Sequence, residues 1–212
     1  MLTSFIGREE AVRDVAGLLE EYRLVTVTGP GGVGKTRLVG QVAGQVAGRF
    51  ADGAWLAELA AVRDPAQVTA VVAAALGIRE QPGMPLAEAL ARVLAGQQLL
   101  LVLDNCEHVI GAAAQLCAGL LAACDDVWVL ATSREPLRVA GEARYRLGPL
   151  ALPDPDDLAD VARAEAVALF ADRAHRAGLL IQREAGRDAA GDRTGGGAGG
   201  SARRDRAAGP AR

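Results

Sequence analysis

The segment with the clearest chemical potential is Gly29-Pro-Gly-Gly-Val-Gly-Lys-Thr36, which has the spacing GxxxxGK[ST]. Glycines let successive backbone N–H groups point into one hollow, and such a hollow binds anions. At this spacing the lysine reaches the β and γ phosphates of a nucleotide, and the threonine hydroxyl binds Mg²⁺. We therefore predict a phosphate loop at residues 29–36, with nucleotide contacts from the loop and the next residue: Gly29, Pro30, Gly31, Gly32, Val33, Gly34, Lys35, Thr36 and Arg37.

Lys35 is also singled out by composition. It is the only lysine among 23 cationic residues, and the other 22 are arginine. A cation in the first turn of a helix is unfavourable by roughly 0.3 to 1 kcal/mol, and an anion in the loop reverses that sign. A compact ammonium suits this position, whereas the planar fork of arginine does not. The placement therefore favours phosphate binding over an ordinary Gly-rich turn.

A second candidate ligand for Mg²⁺ stands at the end of a predicted buried strand. The run Leu99-Leu-Leu-Val-Leu-Asp104 places an acid directly after five aliphatic residues. A neighbouring strand end commonly supplies the carboxylate that Mg²⁺ uses beside phosphate oxygens. We therefore expect Thr36 and Asp104 to hold the metal.

Hydrolysis requires a base or a group that positions water. Asn105 follows Asp104, and an amide cannot accept a proton as a carboxylate does. Glu107 and His108 are nearby candidates, and Glu107 is assigned to the catalytic set with Lys35, Asp104 and Arg134. The alternative is that Glu107 and His108 are first-turn residues of the next helix, where a glutamate is favourable.

Arg134 follows the apolar run 127–132 and precedes Glu135. Ligands of open parallel sheets bind beyond the carboxyl ends of the strands, so Arg134 can sense a γ-phosphate there. A surface arginine paired with Glu135 is the alternative. The sequence leaves both interpretations open.

Short apolar runs alternate with helical stretches through the body of the chain. The run at 99–103 lacks polar alternation, which is typical of strands buried on both faces. The predicted fold is therefore α/β, a three-layer sandwich with a mainly parallel sheet between helices. The expected strands are 24–28, 53–59, 99–103 and 127–132, and the expected helices lie near 8–21, 37–50, 65–76, 86–95, 107–123 and 156–178.

The composition excludes several classes of protein. The net charge of −3 over 212 residues argues against binding nucleic acid through the overall field. No apolar run approaches the roughly 18 to 20 residues that cross a bilayer, and charged residues fill the place of a signal peptide, which predicts a cytoplasmic location. Three cysteines without CxxC spacing indicate neither a disulfide framework nor a zinc site.

Residues 182–212 contain no Val, Leu, Ile, Phe, Tyr or Trp. They cannot offset the entropy cost of ordering and are predicted to form a disordered tail. Seven arginines against four acids give the tail a charge of +3, and the remaining 16 cations and 22 acids give −6. A basic tail can contact nucleic acid, but the interspersed acids and the absence of aromatic residues favour a solvated tail.

Four motifs in order resemble the NB-ARC-type, STAND-class P-loop ATPase module of large bacterial transcriptional regulators. They are Phe5-Ile-Gly-Arg-Glu9, the phosphate loop, LLLVLDNCEH at 99–108 and LATSREPL at 130–137, and the resemblance covers about residues 2–178. It implies a P-loop NTPase fold in which the Arg134 strand lies between the phosphate-loop strand and the acidic strand. It also implies exchange of ATP and ADP, with Mg²⁺, as a slow signalling switch.

The resemblance also implies roles for individual residues. Ile6, Gly7 and Arg8 match the segment that lies along the adenine and ribose. Asp104 matches the magnesium acid, and Arg134 matches a sensor arginine. Many relatives carry a second acid where this chain has Asn105, which implies slow turnover.

After about residue 181 neither the GLPL-like motif of a helical lid nor a winged helix is found. The chain is therefore expected to be a module truncated after its nucleotide-binding domain, without a DNA-binding domain or a membrane contact. Its expected partners are nucleotide and regulatory proteins or further copies of itself. The predicted parts are a helical lead-in with the adenine-side segment (1–22), the nucleotide-binding domain (23–150), the start of a helical lid (151–181) and the tail (182–212).

Two functions agree with these features. The first is an ATP/ADP-binding signal-transduction switch with slow Mg²⁺-dependent hydrolysis. The second is a non-catalytic or vestigial nucleotide-binding module that acts by protein interaction.

Overall fold

A five-stranded parallel sheet forms the centre of the computed structural model, which describes residues 8–150. The strand order is β2-β3-β4-β1-β5, and every neighbouring pair is parallel. All carboxyl ends therefore meet at one edge of the sheet. The strands are β1 (Leu24–Thr28), β2 (Ala54–Glu58), β3 (Leu99–Asp104), β4 (Val127–Ser133) and β5 (Glu142–Arg146).

Helices cover both faces of this sheet. Each face has its own hydrophobic cluster, one built with α1 and α2 and the other with α3, α4 and α5. None of the helices between residues 8 and 150 is long and apolar enough to cross a membrane. The helices are α1 (Glu9–Glu21), α2 (Lys35–Val46), α3 (Val68–Ala75), α4 (Leu86–Leu94) and α5 (Ile110–Ala123), with short 3-10 turns at Ala47–Arg49, Pro65–Gln67 and Cys106–His108.

The residues of β3 explain why the sheet lies in the middle of the sandwich. Leu99, Leu101 and Leu103 pack into the cluster of α3, α4 and α5. Leu100 and Val102 pack into the cluster of α1 and α2. Every residue of β3 is buried, so an unbroken aliphatic run is what a strand with two covered faces requires. The predicted three-layer α/β fold of the P-loop NTPase class is confirmed.

The predicted spatial order is confirmed as well, because β4 lies between β1 and β3. The strand β5 is an addition that the apolar pattern did not predict. Its sequence Glu-Ala-Arg-Tyr-Arg is mostly polar, and it pairs with β1 at the edge of the sheet. An edge strand keeps one side open to solvent, so it lacks the apolar run of a central strand.

Several helix boundaries differ from the predictions. The helix after the phosphate loop begins at Lys35 and ends at Val46, and the helix expected at 107–123 begins only at Ile110. Glu107 lies in the separate turn Cys106–His108 and is not a first-turn residue of α5. The predicted helix at 156–178 and the predicted tail at 182–212 lie outside the described residues, and the four-part division of the chain stays a prediction.

Candidate functional site

The phosphate loop connects the end of β1 to the first residue of α2. Gly32 and Gly34 have φ angles of 76° and 98°, in the left-handed region that glycine adopts without steric cost. Gly34 immediately precedes α2 and has no side chain to cap it. The first N–H groups of α2 therefore have no side-chain acceptor from their cap residue, and a helix terminus in that state binds anions.

Gly29 is fixed by a close approach of the chain after β5. A Cβ atom at this position would lie 2.5 Å from the carbonyl oxygen of Leu147 and 3.2 Å from Cγ1 of Val33. Leu147 also donates its N–H to the carbonyl oxygen of Thr28, at 2.8 Å. The base of the phosphate loop is thus pressed against the end of the edge strand, and only glycine fits there.

Lys35 is folded back under the loop. Its residue is 8% exposed, and Nζ donates to the carbonyl oxygens of Gly29 at 2.9 Å and Pro30 at 3.1 Å. An ammonium carries three donors, and these two carbonyls accept two of them. Because the positive end of the α2 dipole is adjacent, an anion in the hollow would stabilise the buried charge.

Asp104 is the last residue of β3, and its carboxylate accepts hydrogen bonds from two hydroxyl groups. Thr36 Oγ1 is 2.9 Å from Oδ1 and 3.0 Å from Oδ2 of Asp104, and Thr132 Oγ1 donates to Oδ1 at 2.6 Å. The structure thus brings together Thr36 and Asp104, the two residues expected to hold a metal.

This pair fits Mg²⁺ by its chemistry. Mg²⁺ takes hard oxygen ligands and is commonly held by one or two protein groups, with phosphate oxygens and water completing the shell. Within residues 8–150, no three or more His, Cys, Asp or Glu side chains gather into a metal site. A single carboxylate beside a hydroxyl at a phosphate loop matches a Mg²⁺ ion held by two protein groups, with phosphate oxygens and water as its other ligands.

Thr132 is a member of the site that sequence reasoning missed. It is 1% exposed in β4, and besides holding Asp104 it accepts the backbone N–H of Asn105 at 2.8 Å. Its only sequence signal is a polar residue near the end of an apolar run. That signal becomes specific once the pairing of β4 with β3 is known.

Asn105 is part of the backbone turn that follows β3. Its φ angle is 67°, and asparagine enters the left-handed region at lower cost than most residues. The amide nitrogen Nδ2 lies 2.8 Å from Nε2 of His108. Asn105 and His108 therefore contact each other.

Arg134 pairs with Glu107 at the rim of the loop. Nε of Arg134 lies 3.3 Å from Oε1 of Glu107, and the side chains are 65% and 10% exposed, respectively. Nη2 of Arg134 lies 3.4 Å from the position that a Cβ of Gly31 would occupy. The alternative partner considered above, Glu135, instead pairs with Arg138 at 3.2 Å.

The remaining predicted contacts are only partly within the described residues. Arg8 immediately precedes α1 as its N-cap residue, and its Nη2 donates to the carbonyl oxygen of Gly148 at 2.9 Å. This bond links the start of α1 to the segment after β5. Arg37 lies half-buried in the first turn of α2. Ile6 and Gly7 lie outside the described residues, so the adenine-side segment stays a prediction.

The cysteine next to the site, Cys106, is buried. Burial raises the pKa of the Cys106 thiol above its ordinary range, and nearby Cys117, Asp104 and Glu107 raise it further. A protonated thiol is neither a nucleophile nor a metal ligand. The groups of the site that can contact phosphate or Mg²⁺ are therefore the ammonium, the carboxylates, the hydroxyls and the guanidinium described above.

Two mycobacterial proteins are similar to this chain in sequence. The chain is 41% identical over 175 residues to the uncharacterized protein Rv0894 of Mycobacterium tuberculosis, covering 82% of this chain and 42% of the relative. It is 43% identical over 159 residues to the putative HTH-type transcriptional regulator Rv0890c of the same organism, covering 75% of this chain and 17% of the relative. The chain thus spans less than half the length of either relative.

A solved structure shows the same fold. Cdc6p from Pyrobaculum aerophilum matches with a TM-score of 0.57 at 15% identity, covering 82% of this chain and 52% of that one. This likeness concerns the architecture alone. Residues 2–191 match the family model described as Novel STAND NTPase 1, a range that includes the phosphate loop, Asp104 and Arg134. The chain belongs to the Novel STAND NTPase 1 family.

Proposed function

We propose that the chain is an ATP/ADP-binding switch module that hydrolyses ATP slowly with Mg²⁺. The observation that carries the proposal is the convergence of three kinds of group on one loop. The Lys35 ammonium lies under the loop, the Thr36 hydroxyl contacts Asp104, and the Arg134 guanidinium lies against Gly31. These are the groups that bind, orient and sense a chain of phosphates.

Each residue has a proposed task at a stated atom. Lys35 Nζ exchanges its loop carbonyls for phosphate oxygens, because an ammonium bonds an ionised oxygen more strongly than a neutral carbonyl. Thr36 Oγ1 and the Asp104 carboxylate hold Mg²⁺, which when bound neutralises charge on the β and γ phosphates. Thr132 keeps the carboxylate of Asp104 oriented.

Arg134 binds the γ-phosphate, and Ile6, Gly7 and Arg8 lie along the adenine and ribose.

Slow turnover follows from the residues after β3. Asn105 cannot accept a proton and is used in the backbone turn. Glu107 is the proposed base, but Arg134 is paired with its carboxylate. A base that is held in an ion pair is poorly placed to activate water, so we expect hydrolysis to be rare relative to binding.

The same observation favours a second candidate function. If Glu107 never leaves Arg134, the chain binds nucleotide without cleaving it and acts through protein contacts alone. One relative is described as a putative HTH-type transcriptional regulator. We propose an NB-ARC-like switch role for the module within such regulators, in the cytoplasm, with regulatory proteins or other copies of the chain as partners.

Binding and phosphate release, measured on wild type and Lys35→Ala, test these proposals. Wild type is expected to bind Mg-ATP and to release phosphate slowly. Loss of a charged hydrogen bond should weaken binding by about 10- to 150-fold and abolish phosphate release.

A matched control is Arg49→Ala, which removes an exposed cation that pairs with Glu20, and it should behave as wild type. Binding without phosphate release in wild type would favour the non-catalytic function. Equal binding by wild type and Lys35→Ala would contradict nucleotide binding at this loop.

A further inference from the structure

Glu107 is an incompletely paired carboxylate beside the phosphate loop. Oε1 lies 3.3 Å from Nε of Arg134, while Oε2 is buried and has no hydrogen-bond partner within residues 8–150. The side chain is only 10% exposed. A buried carboxylate oxygen without a partner is destabilised relative to water. Glu107 therefore depends on Arg134 as its charge partner in this structure.

Arg134 is exposed on the opposite side and can be recruited elsewhere. Its side chain is 65% exposed, and Nε is the nitrogen placed on Glu107. The Nη2 end lies beside Gly31 at the mouth of the loop. A guanidinium binds two oxygens of one phosphate through parallel N–H groups. A γ-phosphate that binds through the Nε and Nη2 side of the guanidinium would thus compete with the carboxylate of Glu107.

We infer that Glu107, in addition to its proposed role as base, acts as a positioning residue that holds the Nε side of Arg134 and thereby lowers the preference of the site for triphosphate over diphosphate. This inference rests on the proposed nucleotide binding. A diphosphate leaves the pair intact, because no γ-phosphate competes for Arg134. A triphosphate whose γ-phosphate takes the Nε and Nη2 side of the guanidinium displaces Glu107 from Nε.

The expected size of the effect follows from the exposure of Arg134. Ion pairs with an exposed member change an equilibrium constant by at most about fivefold. Glu107→Gln keeps the shape of the side chain and removes its charge. It should raise the ratio of triphosphate to diphosphate affinity by about three- to fivefold, whereas Arg134→Ala should lower that ratio.

A double-mutant cycle on the full chain separates this mechanism from simple charge repulsion. The ligands are Mg²⁺ complexes of ADP and of an ATP analogue with an imido group between the β and γ phosphorus atoms, titrated by calorimetry. If Glu107 acts through Arg134, Glu107→Gln changes the affinity ratio in wild type and has no effect in the Arg134→Ala background. If Glu107 merely repels phosphate, the change persists without Arg134, and the inference is overturned.

A control variant is available at the residue next to Arg134, after β4. Glu135→Gln removes a carboxylate that pairs with Arg138, so it should leave the ratio unchanged. Glu107→Asp shortens the side chain by one methylene and should raise the ratio in the same direction as Glu107→Gln, which keeps the test available if one variant is poorly folded. An unchanged ratio in both Glu107 variants overturns the inference alone. Absence of binding by the wild type overturns the proposed function together with it.

Discussion

At the scale of single residues, the site is built from hydroxyl groups that fix one carboxylate. Asp104 is 7% exposed and accepts hydrogen bonds from Thr36 and Thr132. A partner behind a metal ligand fixes its orientation, and losing such a partner commonly costs 10- to 100-fold in metal affinity. Thr132 is therefore expected to matter to the proposed Mg²⁺ site although it is not itself a proposed ligand.

We predict that Thr132→Val lowers the affinity of the nucleotide-bound chain for Mg²⁺ by about tenfold. Valine has nearly the shape of threonine but cannot donate to Asp104 or accept from the N–H of Asn105. The unpaired groups should also lower the free energy of unfolding by about 1 to 3 kcal/mol. Titrating Mg²⁺ at fixed nucleotide concentration measures the first effect, and urea denaturation measures the second.

Thr26→Val is the matched control in the adjacent strand. Thr26 is completely buried in β1, and its Oγ1 has no hydrogen-bond partner within residues 8–150. Removing an unsatisfied buried hydroxyl should leave Mg²⁺ binding unchanged and leave stability equal or higher. A similar loss in both variants would mean that the hydroxyl of Thr132 has no special role.

At the scale of elements, the phosphate loop depends on the edge strand β5 and on the residues after it. Leu147 donates its N–H to the carbonyl oxygen of Thr28, and its own carbonyl oxygen lies next to Gly29. Arg8 reaches the next residue, Gly148, from the start of α1. The loop is thus supported by elements from both ends of the described chain.

We predict that Gly29→Ala lowers nucleotide affinity at least tenfold and destabilises the fold by about 1 to 3 kcal/mol. Its Cβ would meet the Leu147 carbonyl oxygen at 2.5 Å, so either the loop or the end of β5 must move, as in other overpacked sites. Calorimetric titration and denaturation of the variant measure the two effects.

Gly40→Ala provides the contrast within α2. Apart from the backbone of α2 itself, no atom within residues 8–150 lies within 4 Å of a Cβ at Gly40, and alanine is the better helix former by about 1 kcal/mol. This variant should be more stable than wild type and bind nucleotide normally. A wild-type affinity in Gly29→Ala would show that the contact with Leu147 does not position the loop.

The elements that sequence predicted well are those with two-sided burial or a strict motif. The aliphatic run of β3 and the spacing of the phosphate loop each allow one interpretation. The strand β5 was missed because an edge strand with Glu142, Arg144 and Arg146 carries little apolar signal. The pairing of Arg134 with Glu107, rather than with the adjacent Glu135, depends on the approach of β4 to the turn after β3. Such long-range geometry is not encoded in local spacing.

At the scale of the whole molecule, the core contains three free cysteines, all buried. Burial raises the pKa of Cys117 to about 12, and burial likewise raises the pKa of Cys106 and Cys124. The ordinary value is 9.0. Above it the unfolded chain releases protons that the folded chain retains, so proton release favours unfolding.

We therefore predict that stability is unaffected by these thiols below pH 9 and falls as the pH rises towards 12. The loss is at most about 1.4 kcal/mol per pH unit for each thiol. Urea denaturation at several pH values between 8 and 11 measures it. Cys117→Ala should show a shallower decline than wild type, and identical declines would contradict burial of the Cys117 thiol.

The central claim is that the loop around Lys35 binds nucleotide, and ligand-dependent thermal stability tests it most directly. A ligand that binds only the folded state at 100 times its Kd stabilises that state by about 2.7 kcal/mol. For a chain of this size, such a gain should raise Tm by about 5 to 10 °C. We expect Mg-ATP and Mg-ADP to raise the Tm of wild type and not that of Lys35→Ala. An unchanged Tm of wild type with every nucleotide, or an equal rise in Lys35→Ala, would contradict the claim.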